Sequence, residues 1–346
     1  MTQQDAQTAR QGVAQANAAL APWIEGAQAL ALLQGALDVG LVQAAGTLRT
    51  AGDLATDVRL DVRRVEALCL ALEAHDIFVR EGTGYRLADP WSALAWDAAL
   101  PLVRARVEAM PALTRAITAV VAHDASYGTM DAADRVALAQ GVTLDPRSPL
   151  TPHLLVDALA GVPEVTARLE AGGRWVELGC GVCGGVLSML QAYPHATALA
   201  VDLDAELLAI AARRAVQVGV EDRLEVRQAD AGTLREEATA DVVFWSQFFF
   251  PRASRAAALR VAYRALKPGG LLLATLLDEA PTSPDERQTP AGRAYAIDQV
   301  LYGGWGVPIQ SAAALQAEVS AAGLTPLRVG RDVFRYLAAQ RPPRTP

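Results

Sequence analysis

From Arg174 onward, short apolar runs of strand length alternate with helical stretches. WVELGC, ALAVDL, LEVRQAD, DVVFWSQ and LLLATLLD are the runs, and GVLSMLQAY, ELLAIAARRAVQV and RAAALRVAYRAL lie between them. This alternation predicts a parallel, doubly wound sheet with helices on both faces. After Gly303 come one more helical stretch, SAAALQAEVSAAG, and two final runs, TPLRVG and DVFRYLAAQ, with no helix between them. The sheet is therefore expected to finish in an antiparallel hairpin.

Earlier in the chain the period is helical. Ala29 to Ala45 carries apolar residues at helical spacing and is broken at Gly46. AGDLATDV supplies an Asp helix start, and VRRVEALCLALEAHDI reads as a second amphipathic helix. IFVREGTGYRLAD holds two short β runs around EGTG, which predicts a hairpin. Short helices followed by a hairpin make a winged-helix pattern. This stretch lacks the basic stripe that phosphates require, so a second copy of the module is the expected partner and nucleic acid is not. Residues 97–170 are mostly helical and are interrupted by GVTLDPRSPLTP. Three parts are expected: 1–96, a winged-helix-like domain that pairs with a second copy; 97–170, a helical linker; and 171–346, the doubly wound domain.

Composition narrows the class. Of 346 residues, 52% are hydrophobic and 20% charged, which fits a globular protein with a large core. The net charge of −7, without long runs of like charge, argues against a nucleic-acid surface. The longest apolar stretches contain Gln and Asp and are too short to span a bilayer. The polar N-terminus, MTQQDAQTARQG, has no signal-peptide core, and three cysteines make no disulfide framework. A cytoplasmic protein is expected.

Trp175 to Gly185, WVELGCGVCGG, is a strand running into a glycine-rich turn and a helix. Gly179, Gly181 and Gly184 satisfy G-x-G-x-x-G, and Asp202 closes the next strand, where a carboxylate can accept both hydroxyls of a ribose. NAD and S-adenosylmethionine both fit so far. Glu177, two residues before Gly179, would repel a pyrophosphate and suits a cofactor carrying an ammonium and a sulfonium. Asp230, in QAD, can take an adenine amino group, and Leu266-Lys267-Pro268-Gly269-Gly270 stops a helix and launches a strand. Cys180 and Cys183 form a C-x-x-C, but no second cysteine pair exists to complete a metal site, so no metal is expected.

ELGCG, VDLD, QAD and ALKPGG, in this order and spacing, resemble the motifs of class I S-adenosylmethionine-dependent methyltransferases. LDVGLVQAAGTLRTAGDLATDV and GTGYRLAD are similar to the dimerising winged-helix domain of the small-molecule O-methyltransferases. The resemblance implies an α/β fold with a Rossmann-like C-terminal domain, linker helices at 97–170 that cover the substrate, the cofactor S-adenosyl-L-methionine, a small-molecule substrate and a homodimer. It also implies that Glu177, Gly179 and Gly181 hold the methionine part, Asp202 the ribose and Asp230 the adenine. Leu203 would pack on the adenine ring, with Ala231 and Ser246 bordering the cofactor.

In those enzymes the fourth strand runs into a histidine that deprotonates the substrate hydroxyl. Here DVVFWSQFFFPRAS puts Phe250 or Phe248 at that place, and the four histidines (His75, His123, His153 and His195) all precede Asp202. On a continuing strand, Phe248 and Phe250 share one face. His123 and His153 are the remaining candidates for a base. Tyr127, Trp245, Phe248, Phe250, Arg252, Tyr302 and Trp305 are the candidate substrate residues. Of these, Arg252 would be a carboxylate fork, and Tyr302 and Trp305 an aromatic lid hinged at the glycines of LYGGWG. The expected activity is methyl transfer to a small aromatic or polyketide-like metabolite. Oxygen is the default acceptor, with carbon or nitrogen open because the histidine is missing. The alternatives are a non-methylating reaction that keeps the same cofactor, a non-catalytic cofactor-sensing dimer, and an NAD-dependent oxidoreductase.

Overall fold

The computed structural model describes residues 2–123, 125–277, 279–330 and 335–343. The chain divides into two compact units, Met1–Glu108 and Ala109–Pro346. In the first, α1 (Gln3–Asp38) and α2 (Leu41–Ala44) lead to β1 (Arg49–Thr50), α3 (Ala51–Val58), α4 (Val62–Ala74), β2 (Phe78–Glu81) and β3 (Gly84–Leu87). The three strands form an antiparallel sheet in the order β1-β3-β2, with the tight β2–β3 turn passing through Gly82 at φ 62°.

Local chemistry sets the helix starts. Thr50 and Asp53 form a reciprocal cap on α3, and the Asp61 carboxylate accepts from two N–H groups at the start of α4. Helix α1 begins much earlier than its apolar spacing implies. Thr2 and Asp5 cap it, but it buries only Leu33, Ala36 and Leu37. Its first turns rest on the helix propensity of Ala and Gln, a signal that hydrophobic periodicity does not register.

Helix α5 (Leu100–Ala122) carries the boundary between the units. The second unit continues with α6 (Ala132–Gly141), α7 (Thr151–Leu159) and α8 (Pro163–Glu170). Next come β4 (Arg174–Leu178), α9 (Gly184–Ala192), β5 (Thr197–Asp202), α10 (Ala205–Val218), β6 (Leu224–Gln228), β7 (Ala240–Trp245), α11 (Arg252–Ala265) and β8 (Leu266–Thr275). Two helices absent from the sequence expectation follow, α12 (Pro284–Gln288) and α13 (Pro290–Gly304). The chain then runs through α14 (Ala312–Ala321), β9 (Thr325–Gly330) and β10 (Tyr336–Gln340).

Among the described residues the large sheet has seven strands, ordered β6-β5-β4-β7-β8-β10-β9. The first five are parallel; β10 runs antiparallel to both β8 and β9, as the helix-free ending of the sequence predicts. Successive residues of each strand feed opposite layers. Trp175 and Val242 pack with Val186, Leu187 and Leu190 of α9, while Val176, Val243 and Trp245 pack with Leu259, Val261 and Ala262 of α11. The chain leaves the sheet's middle in opposite directions after β4 and after β7, which opens a crevice at the carboxyl ends of these two strands.

Candidate active site

A cavity of about 1070 Å³ occupies that crevice, within the second unit. Every strand from β4 to β8 ends at it. Glu177 and Gly179 close β4, Asp202 and Leu203 close β5, Asp230 and Ala231 follow β6, Ser246 follows β7, and Thr275 ends β8. Gly181 and Cys180 complete its glycine-rich edge.

The turn after β4 is shaped by close approaches. Gly179 sits at φ 76°, and a Cβ there would lie 2.8 Å from the Phe250 ring. At Gly184 a Cβ would meet the Leu144 carbonyl oxygen at 2.1 Å, so α9 can begin against residues 143–144 only without a side chain. Cys183 caps α9 in the left-handed region, at φ 58°. Both cysteines of the C-x-x-C are buried free thiols, and burial raises the Cys180 thiol well above its ordinary range.

Asp202 ties the turn to β5. One of its oxygens accepts from the Gly181 N–H at 2.8 Å and the other from the Asp204 N–H at 3.0 Å. A carboxylate offers about four acceptor positions, so lone pairs remain for a diol. Asp230 accepts from the Gly232 N–H at 2.7 Å and is likewise only partly used. Glu177 is buried, and its one hydrogen bond is accepted from Trp175 Nε1 at 3.2 Å. Burial, reinforced by Asp202, pushes its carboxyl up to about 8. A buried acid with a single neutral partner fits an ammonium and is a poor neighbour for a pyrophosphate.

This charge has a consequence for stability. The folded value lies above the ordinary 4.5, so the fold favours the protonated form. Stability attributable to Glu177 is complete below about pH 4.5 and is lost as the pH rises through 8. Glu177→Gln is expected to remove that loss and to exceed the wild type by roughly 2 kcal/mol or more at pH 9, measured by denaturant unfolding of the cofactor-free proteins. Equal pH profiles for the two proteins would contradict this burial.

Aromatic rings form the opposite wall. Tyr127, in a short turn between α5 and α6, has its ring 5.0 Å from Phe249 and 5.3 Å from Trp305. Tyr302 lies 5.5 Å from Phe248 and 5.6 Å from Trp305. Both phenols stay protonated: burial raises Tyr127 far above its usual range and pushes Tyr302 up to about 12. Phe248 and Phe249 do not continue β7. The strand stops at Trp245, and Gln247–Phe249 is a single turn of 3-10 helix, so period-two alternation does not apply to them. Phe248, Phe249 and Phe250 all line the cavity; Phe250 is the most buried of the three, edge-on to Trp245 at 5.8 Å and close against Gly179.

Four expected site residues are not among those lining the cavity. Trp245 is fully buried on the α11 face, because the phase of β7 turns it away from the crevice. Arg252 opens α11 and is exposed, so it makes no fork toward the cavity. His123, at the end of α5, and His153, in the first turn of α7, are exposed, and the geometry brings neither to the crevice. The glycine hinge is also corrected: Gly303 and Gly304 are the last residues of α13, where a Cβ on Gly304 would be 2.6 Å from Val120.

Sequence reasoning missed a residue that organises the turn from behind. Arg255 of α11 is 1% exposed, and its guanidinium lies 4.6 Å from the Trp245 ring. It donates to both oxygens of Glu318 at 2.8 and 2.7 Å, to the Gln247 carbonyl at 3.1 Å and to Gln247 Oε1 at 2.6 Å. Gln247 in turn donates to the Thr275 carbonyl. One buried cation thus fixes the turn that carries Phe248 to Phe250.

A doubly wound sheet whose carboxyl edge carries this ordered set of acidic residues and glycines defines a class I S-adenosylmethionine-dependent methyltransferase domain, and S-adenosyl-L-methionine is the cofactor of that class. Residues 176–270 match the family described as "Methyltransferase domain". A ubiquinone biosynthesis O-methyltransferase of Xanthomonas axonopodis pv. citri (strain 306) is 32% identical over 120 residues, 34% of this chain and 49% of that protein. The chain thus spans about half the length of the curated relatives it matches. Two solved structures share the fold over nearly the whole chain. An O-methyltransferase family protein from Burkholderia thailandensis has a TM-score of 0.69 at 18% identity, covering 94% of this chain and 98% of its own. Human N-acetylserotonin methyltransferase, solved in complex with SAM, has a TM-score of 0.65 at 16% identity, covering 95% and 98%.

Proposed function

We propose that the protein transfers the methyl group of S-adenosyl-L-methionine to a small, flat acceptor held against the aromatic wall, and that it does so without a protein base. The observation that carries this reading is the make-up of the cavity. Among the described lining residues there is no histidine or lysine, the carboxyl groups are those that would hold the cofactor or, in Asp204, pair with Arg135, and phenylalanines follow β7. The bound cofactor supplies an electrophilic methyl group on a sulfonium. Glu177, Gly179 and Gly181 would hold its amino-acid end, Asp202 its ribose and Asp230 its adenine, with Leu203, Ala231 and Ser246 beside them. Tyr127, Phe248, Tyr302 and Trp305 orient the acceptor and exclude water.

Proximity supports such a reaction without acid–base help. Alignment of nucleophile, carbon and leaving group can supply most of the acceleration, whereas general-base assistance is worth ~10²–10⁴-fold and only where a proton must leave. Incubation with S-adenosyl-L-methionine and a panel of aromatic acceptors should yield S-adenosylhomocysteine in step with methylated product. Product that accumulates without S-adenosylhomocysteine would instead mean a different reaction. We also infer that two chains pair through the N-terminal unit, since Leu20, Trp23 and Ile24 of α1 stand exposed. Light scattering at the mass of a single chain would remove that part of the reading.

A further inference from the structure

The charge and the rings of the cavity narrow the acceptor further, given the methyl transfer proposed above. The described lining residues include four carboxyl groups, on Glu177, Asp202, Asp204 and Asp230, and one cationic side chain, Arg135. Arg135 is already engaged: its Nε lies 2.7 Å from Asp204, and it also donates to the Met130 carbonyl. Glu177, Asp202 and Asp230 are the groups that would hold the cofactor, so among the described lining residues the acceptor side carries no unpaired side-chain charge of either sign. The facing wall presents the rings of Tyr127, Phe248, Phe249, Tyr302 and Trp305, whose faces favour positive charge.

Nucleophiles that need no protein base differ in the charge they bring. A phenolate or enolate enters as an anion, drawn by the sulfonium but stripped of water against ring faces that disfavour negative charge, with no free side-chain cation among the described lining residues to pair with it. A neutral nitrogen lone pair enters uncharged and leaves as a cation, which the ring faces stabilise.

We propose that the acceptor is an aromatic heterocycle methylated at a neutral, pyridine-type ring nitrogen. The nitrogen lone pair forms the new N–C bond to the methyl carbon while the electrons of the broken C–S bond stay on sulfur. Positive charge passes from sulfur to nitrogen and no proton moves, so the lack of a histidine at the end of β7 costs this reaction nothing.

The test uses the full chain saturated with S-adenosylhomocysteine and two probes of similar shape, N-methylisoquinolinium and 2-naphthoate, in equilibrium dialysis. The cation is expected to bind on the order of tenfold more tightly than the anion, in keeping with one or two cation–π contacts. Phe249→Leu keeps an apolar side chain of similar bulk and should weaken the cation severalfold while leaving the anion and S-adenosylhomocysteine unchanged. With S-adenosyl-L-methionine present, isoquinoline should be converted to N-methylisoquinolinium. Tighter binding of 2-naphthoate, absence of binding by both probes, or turnover of 2-naphthol in preference to isoquinoline would overturn the proposal. Failure of the wild-type protein to bind S-adenosylhomocysteine would strike the underlying methyl-transfer reading instead.

Discussion

Asp202→Ala is expected to lower affinity for S-adenosylhomocysteine by about two orders of magnitude or more while leaving the protein folded. Each ribose hydroxyl would lose a charged acceptor, and such hydrogen bonds are worth ~1.5–3 kcal/mol apiece. The loss also reaches the cofactor indirectly. The same carboxylate holds the Gly181 and Asp204 N–H groups, so the glycine turn loses its tie to β5. Folding should suffer little, because burial raises the pKa of Asp202 and its removal relieves a desolvated charge. Calorimetric titration checks the first part and thermal unfolding the second. Unchanged affinity would place the cofactor elsewhere.

The second large effect concerns stability. Arg255→Met should cost about 3–5 kcal/mol, since it strips Glu318 and Gln247 of a shared donor beneath a packed sheet face. The Glu318 side chain keeps 23% exposure, which puts the expected loss toward the lower end of that range. The double variant Arg255→Met/Glu318→Leu removes the stranded carboxylate as well and should recover most of the loss in urea unfolding. If the double variant is as unstable as the single one, the cost lies in packing around Trp245 and not in the unpaired charge.

Much of the second unit is legible in the sequence, because a strand buried on both faces is a short apolar run and a helix between strands keeps its period. The carboxylates at the ends of β4, β5 and β6 are legible for a related reason: a charge that ends an apolar run sits at a sheet edge, and here that edge is the crevice. What the pattern lacks is phase and direction. Nothing in DVVFWSQFFFPRAS tells which face Trp245 takes, or that the strand gives way to a turn at Gln247. Helix α13 mixes small, polar and aromatic residues with little periodicity, so its aromatic end reads as a loop until the neighbours at Val120 and Tyr127 are known. Arg255 is illegible for another reason. A lone arginine in a helix becomes informative only when Glu318, distant in the chain, is seen beside it.

The aromatic wall draws on separate parts of the chain. Phe248 and Phe249 fall inside the stretch matched by the methyltransferase family, together with Glu177, Asp202 and Asp230; Tyr127, Tyr302 and Trp305 fall outside it. The part of the cavity proposed for the cofactor therefore lies mostly within that one stretch. The part proposed for the acceptor is shared with segments before and after that stretch. Substituting those three rings is thus expected to change which acceptors are taken while leaving in place every residue proposed to grip the methyl donor.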